Sequence, residues 1–135
     1  MTIGNPSETR PRPFAVWALL GILAAELLLL AAVVVTLGVD LLILPADSLA
    51  AAIALLVLAV LALVWLGAVL VNIWRFRAWA RSAALVWQVL QFAVGLGALQ
   101  GAFAAPAWGW PLVVAAVAGF VLCVVRPTRE ALAER

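Results

Sequence analysis

The chain has 135 residues, is 69% hydrophobic and 10% charged, and has a mean hydropathy of +1.27. Soluble domains carry roughly 45–50% apolar and about 25% charged residues, and so short a chain leaves much of its surface outside any core. That excludes a soluble globular domain: lipid has to cover what the fold does not. All eight basic residues are arginine, histidine and tyrosine are absent, and Cys123 is the single cysteine. An intramolecular disulfide, a haem held by histidine, a histidine general base and a histidine zinc ligand are therefore excluded. Nothing points to a catalytic residue, a metal site or a cofactor. Nucleic-acid binding needs a continuous basic face, whereas these arginines fall in three short segments, where anionic lipid headgroups are the fitting partners.

A spanning helix needs about 20 mostly apolar residues at a rise of 1.5 Å each. In chain order, residues 1–13 form a polar tail with three prolines. The first span is predicted over 14–37, interrupted only by Glu26 and Thr36. Its apolar run exceeds the 7–15 residues of a signal-peptide core, and no A-x-A cleavage site follows, so it reads as a retained span. Residues 38–46 read as an outer loop with an apolar stretch lying along the membrane surface. The second span is predicted over 48–74, with Asp47 or Ser48 capping its first turn. A very short link at 75–78 makes spans two and three a hairpin. The third span is predicted over 79–103 and the fourth over 108–125, with Pro111 in its first turn and Pro127 stopping it. Residues 126–135 form a second tail, with room for one amphipathic turn.

The arginines set the orientation. Arg10 and Arg12 precede span one, Arg75, Arg77 and Arg81 lie between spans two and three, and Arg126, Arg129 and Arg135 follow span four. The other two loops hold no basic residue, so four spans put every arginine on one face. Positive-inside bias makes that face cytoplasmic. The expected architecture is an all-α membrane protein: four transmembrane helices in an antiparallel bundle, with both termini in the cytoplasm of a bacterial plasma membrane. Five tryptophans fall at the two interfaces: Trp17, Trp74 and Trp79 inside, Trp108 and Trp110 outside.

Glu26 stands twelve residues into span one, near the midplane. A charge there costs about 2.5–3.5 kcal/mol on insertion scales. Two readings follow: proton or cation coupling, or structural hydrogen bonding to a neighbouring helix or subunit. Gln91 stands twelve residues after Trp79, so both reach a depth of about 18 Å, and Gln88 shares its face. A contact of Glu26 with Gln88 or Gln91 is expected. Small-x3-small spacings, Gly21 with Ala25 and Gly97 with Gly101, mark expected sites of helix packing. Trp65 and Trp87 fall at one level of the hairpin, away from both interfaces, and are expected to pack on each other or to form a surface for another protein.

The segment Arg75-Phe-Arg-Ala-Trp-Ala-Arg-Ser-Ala-Ala-Leu-Val-Trp-Gln88, continued by Leu99-Gln100-Gly101 and by Pro127-Thr128 with Leu132, resembles a group of small, uncharacterised four-span membrane proteins of actinobacteria. The resemblance implies a plasma-membrane protein with no assigned reaction, so no residue role is carried over. The four spans and an acid in the first are also similar to small multidrug transporters, where the glutamate couples protons to a cation. This chain departs from them in lacking tyrosine, in its one-sided arginines and in lacking their aromatic–glycine cluster around span three. The function expected is non-enzymatic: an accessory or assembly subunit of a larger membrane complex. The partners expected are the lipid bilayer and other membrane subunits, with a homo-oligomer compatible. The alternative is a small proton-coupled transporter or channel using Glu26.

Overall fold

The computed structural model describes residues 12–45, 47–101, 107 and 109–133, and within them the chain is helical. Five helices follow one another: α1 (Phe14–Ile43), α2 (Leu49–Trp74), α3 (Ala78–Leu99), α4 (Gly109–Val124) and α5 (Arg126–Ala133). Three of them, α1 to α3, are long and apolar enough to cross a membrane, with best windows of mean hydropathy 2.7, 3.0 and 1.6. α4 has 16 residues and counts as a fourth only together with α5, from which it is bent by 58°. At 1.5 Å per residue α4 spans about 24 Å, less than the roughly 30 Å of a hydrocarbon core. Three to four apolar helices are consistent with a multi-pass membrane protein.

The helix ends follow local chemistry. Pro13 stands at the N-cap of α1, its fixed φ suited to a helix start. Ser48 caps α2, its Oγ accepting from Ala51 N at 3.3 Å. α1 runs past the expected end at Leu37: residues 38–43 are helical instead of forming a surface loop. Pro45 sets the break, since the residue before a proline is pushed out of the helical region, and Leu44 is extended at φ −99°, ψ 138°. α3 stops at Leu99, short of the predicted 103, because Gly101 takes a φ of 85° that leaves the helix. At the other end of the chain, α4 gives way at Val125, and Pro127 lies in the first turn of α5, where its missing N–H costs little.

The link between α2 and α3 is a Schellman-type cap. Phe76 N bonds Ile73 O at 3.0 Å and Arg77 N bonds Asn72 O at 2.9 Å, with Phe76 at φ 56°. A non-glycine residue there carries a strain of about 1–2 kcal/mol, so tertiary contacts must hold it.

Packing pairs α3 with α4 and α1 with α2 most extensively, and α2 also packs on α3 and α1 on α4. Trp17 meets Trp74 and Leu27 meets Gly67, so α1 and α2 run in opposite directions. Gly119 adjoins Gln88 and Gly109 adjoins Gly95, which gives α3 and α4 opposite directions too. The core sits toward the arginine-bearing end. It joins Val16, Leu19, Leu20 and Leu23 of α1 to Leu66, Val69 and Ile73 of α2, Ala80, Ala83 and Ala84 of α3, Cys123 and Leu132. α5 tucks Thr128 and Leu132 beneath this core. Leucine, valine and isoleucine meanwhile dominate the outer surface, and only 11% of α2's most apolar window is buried. Apolar side chains outside and glutamate and glutamines inside are the reverse of a water-soluble bundle.

Candidate functional site: a polar cluster inside the helices

Glu26 is buried on α1, at the top of the stripe formed by Val16, Leu19 and Leu23. That stripe faces the other helices, so helical periodicity carries the carboxyl inward with it. Opposite it, α3 presents Trp87 and Gln88. Trp87 Nε1 donates to Glu26 Oε2 at 2.9 Å, and Gln88 Nε2 donates to the same oxygen at 3.4 Å. Gln91, one turn further along α3, turns its Nε2 to the carbonyl of Leu112 on α4, at 3.3 Å. One carboxyl oxygen thus gathers two donors, while the next glutamine ties α3 to α4.

Gly119 makes room for this arrangement. A Cβ built on it would lie 2.5 Å from Gln88 Cδ and Nε2, so the amide rests directly on the α4 backbone. The close approach of α3 and α4 continues at Gly95 and Gly109. A Cβ on Gly95 would come within 2.8 Å of Val113 Cγ2, and one on Gly109 within 2.9 Å of Gly95 O.

Within this cluster three buried acceptors have no donor: Glu26 Oε1, Gln88 Oε1 and Gln91 Oε1. A proton on Glu26 would let it donate to one glutamine oxygen. Glu26 and Gln91 also line a groove of about 250 Å³ between α1 and α4, walled by Ile22, Ala25, Leu29, Pro111, Leu112 and Ala115. Its walls are apolar apart from those two residues. No group of three histidine, cysteine, aspartate or glutamate side chains that could hold a metal occurs among the described residues.

The structure brings Glu26, Gln88 and Gln91 into one cluster and adds Trp87. It does not bring Trp65 to Trp87: Trp65 is exposed on α2, and the indole of Trp87 is turned to Glu26. Two of the expected packing glycines need correcting as well. Gly21 and Gly101 have open space where a side chain would be, and Gly101 lies beyond the end of α3. Ala25 is exposed and Gly97 half-buried. Small residues do mediate the approach, but at Gly95, Gly109 and Gly119. In an alanine-rich chain the spacing rule alone does not separate the two sets, whereas Trp87 and Gln91, four residues apart, already share the face of Gln88's cluster.

A second cluster gathers the start of α1 and the end of α2. Arg12 Nη2 donates to Trp74 O at 3.0 Å, and its guanidinium lies 3.9 Å from the Trp74 ring centroid, 4.9 Å from Phe76 and 5.7 Å from Trp17. The two indoles meet edge to face at 5.6 Å. This cage explains how Phe76 is held at its positive φ, and it places a cation at the negative end of α2. Arg75 is the C-cap of α2 and Arg77 the N-cap of α3. Arg81 lies in the first turn of α3, and Arg126 Nε pairs with Glu130 Oε1 at 2.7 Å. Arg10, Arg135 and Trp108 lie outside the described residues. The described arginines share one end of the helices: Arg12 through its cage at Trp74, and Arg81, Arg126 and Arg129 around one groove.

Comparison with protein-family models, curated proteins and solved structures finds no match for this chain.

Proposed function

We propose that this chain is a non-enzymatic accessory or assembly subunit of a larger plasma-membrane complex, spanning the bilayer four times with both termini in the cytoplasm. The observation that carries the reading is the state of Glu26. Its carboxyl is buried against the Trp87 indole and the Gln88 amide, where it ties α1 to α3. An acid held this way acts as a structural link between helices. A transporter needs a polar, hydrated path to its titrating acid, and the groove that reaches Glu26 is walled by isoleucine, alanine, leucine and proline. The clustering of arginines at one end supports the inside orientation of that end. The resemblance of residues 75–101 to small four-span membrane proteins without an assigned reaction accords with the same reading.

The test is affinity purification of the tagged, membrane-expressed chain in mild detergent, followed by mass spectrometry of the intact assembly. A stoichiometric complex with other membrane proteins is expected. Recovery as a lone monomer or homodimer overturns the subunit reading. Proton-coupled uptake by the purified chain in vesicles, abolished by Glu26→Gln, would establish the transporter alternative, which the three unpartnered oxygens around Glu26 favour.

A further inference from the structure

The bend of 58° between α4 and α5 has a consequence at the arginine-bearing end. It swings Arg126 and Arg129 beside Arg81, which precedes them by 45 and 48 residues. The three arginines, with Glu130 and Ala133, line an open groove of about 340 Å³. Glu130 neutralises one of them through its pair with Arg126, so the groove keeps a net positive charge. Arginine's planar fork matches phosphate oxygens, and a groove of this size admits a phosphate group with its substituents.

A second groove lies on the same side of α3. Gln88, Val89 and Phe92 of α3, with Ala116, Val117 and Phe120 of α4, line an apolar furrow of about 220 Å³. Relative to Arg81 those α3 residues stand at i+7, i+8 and i+11, which is one face of a helix. At 1.5 Å per residue the furrow starts about 10–12 Å deeper than the arginines. A cationic cradle at one end of the helices, above an apolar furrow on the same stripe, has the polarity of an amphiphile: an anionic head, then a hydrocarbon chain.

We propose that the Arg81–Arg126–Arg129 groove, together with the α3/α4 furrow beneath it, is a binding site for one anionic phospholipid. The phosphate takes its charge-assisted hydrogen bonds from Arg81 and Arg129, and one acyl chain lies along Val89, Phe92, Val117 and Phe120. Arg126 stands directly after the bend and Arg129 one turn into α5, and both border the groove with Arg81. This site is separate from the Glu26 cluster and does not depend on the subunit reading.

The test is native mass spectrometry of the purified full chain with phosphatidylglycerol, phosphatidylcholine or inorganic phosphate as the probe. One phosphatidylglycerol is expected to be retained in preference to phosphatidylcholine. Arg81→Gln/Arg129→Gln should weaken it by about tenfold or more, the weight of one charge-assisted contact. Val117→Trp, at an exposed position that lines the furrow, narrows it and leaves the charges in place, and should weaken it too. Arg75→Gln/Arg77→Gln removes the same charge elsewhere on that end and should change it by less than about twofold, as rim charges do. Circular dichroism checks that each variant keeps its helices, and Arg129→Gln alone, at an exposed position, stands in should the double variant not fold. Equal retention of both lipids, or an equal loss in Arg75→Gln/Arg77→Gln, overturns the site. Retention indifferent to Val117→Trp, with full competition by inorganic phosphate, reduces it to a free-phosphate cradle and overturns the lipid.

Discussion

Trp87 and Glu26 stand 61 residues apart in the chain and meet through one hydrogen bond of 2.9 Å, from the indole Nε1 to Oε2. That bond joins α3 to α1 at a carboxyl buried between the helices. Trp87→Phe keeps the ring and removes the donor. It should lower stability by about 0.5–2 kcal/mol, the range for interhelical hydrogen bonds in membranes. Unfolding in mixed detergent micelles with increasing dodecyl sulfate measures it. A double-mutant cycle with Glu26→Gln isolates the pair, and a coupling indistinguishable from zero would show that the bond contributes nothing.

The glycines that matter are those with backbone opposite them. Gly109→Ala places a methyl group within 2.9 Å of Gly95 O, and a carbonyl of the neighbouring helix has little freedom to yield. A loss of about 1–3 kcal/mol is expected from such overpacking. Gly21→Ala meets open space and removes a flexible residue from the interior of α1, so it should be neutral or raise stability by up to about 1 kcal/mol. The two variants compared in one thermal assay decide the matter; a penalty at Gly21 equal to that at Gly109 contradicts the packing described above.

Arg12 should resist replacement by lysine. Its guanidinium caps the Trp74 carbonyl and stacks between rings at the same time, and lysine offers a point charge without the planar fork. Arg12→Gln should cost about 0.5–2 kcal/mol, the range of a partly desolvated cation–π contact, and Arg12→Lys should recover only part of it. The emission of Trp17 and Trp74, read in variants lacking the other tryptophans, should shift on Arg12→Gln. An unchanged spectrum and unchanged stability would mean that the cage does not hold in the membrane.

Topology is open to labelling. In a Cys123→Ala background, Ser48→Cys at the α2 N-cap should react with a membrane-impermeant maleimide on intact cells. Ala133→Cys, in α5, should react only after permeabilisation. The opposite pattern inverts the orientation, and labelling of both on intact cells removes the four-span count.

The all-helical fold with three to four apolar helices, and the grouping of arginines, were legible in the sequence because both are set by transfer free energies that act residue by residue: apolar side chains accept hydrocarbon and guanidinium groups do not. Helix starts were legible where one side chain decides them, as at Ser48. The expected end of α1 at Leu37 fell six residues short of Ile43, because the helix runs on until Pro45 pushes Leu44 out of the helical region. Glu26 declared itself as the one acid within the apolar runs, and its depth pointed to Gln88 and Gln91.

Which neighbours Glu26 meets was decided by tertiary structure. Periodicity gives depth and face within one helix, but not the rotation of one helix against the next. That rotation depends on where backbones can approach, at Gly95, Gly109 and Gly119, and it is what turns the Trp87 indole toward α1 and leaves Trp65 facing outward. The meeting of Arg81 with Arg126 and Arg129 likewise depends on a bend at Val125 that no local pattern fixes in direction. Burial of apolar surface is additive along a chain and so can be read from sequence; close packing is a property of pairs of helices and exists only once they are brought together.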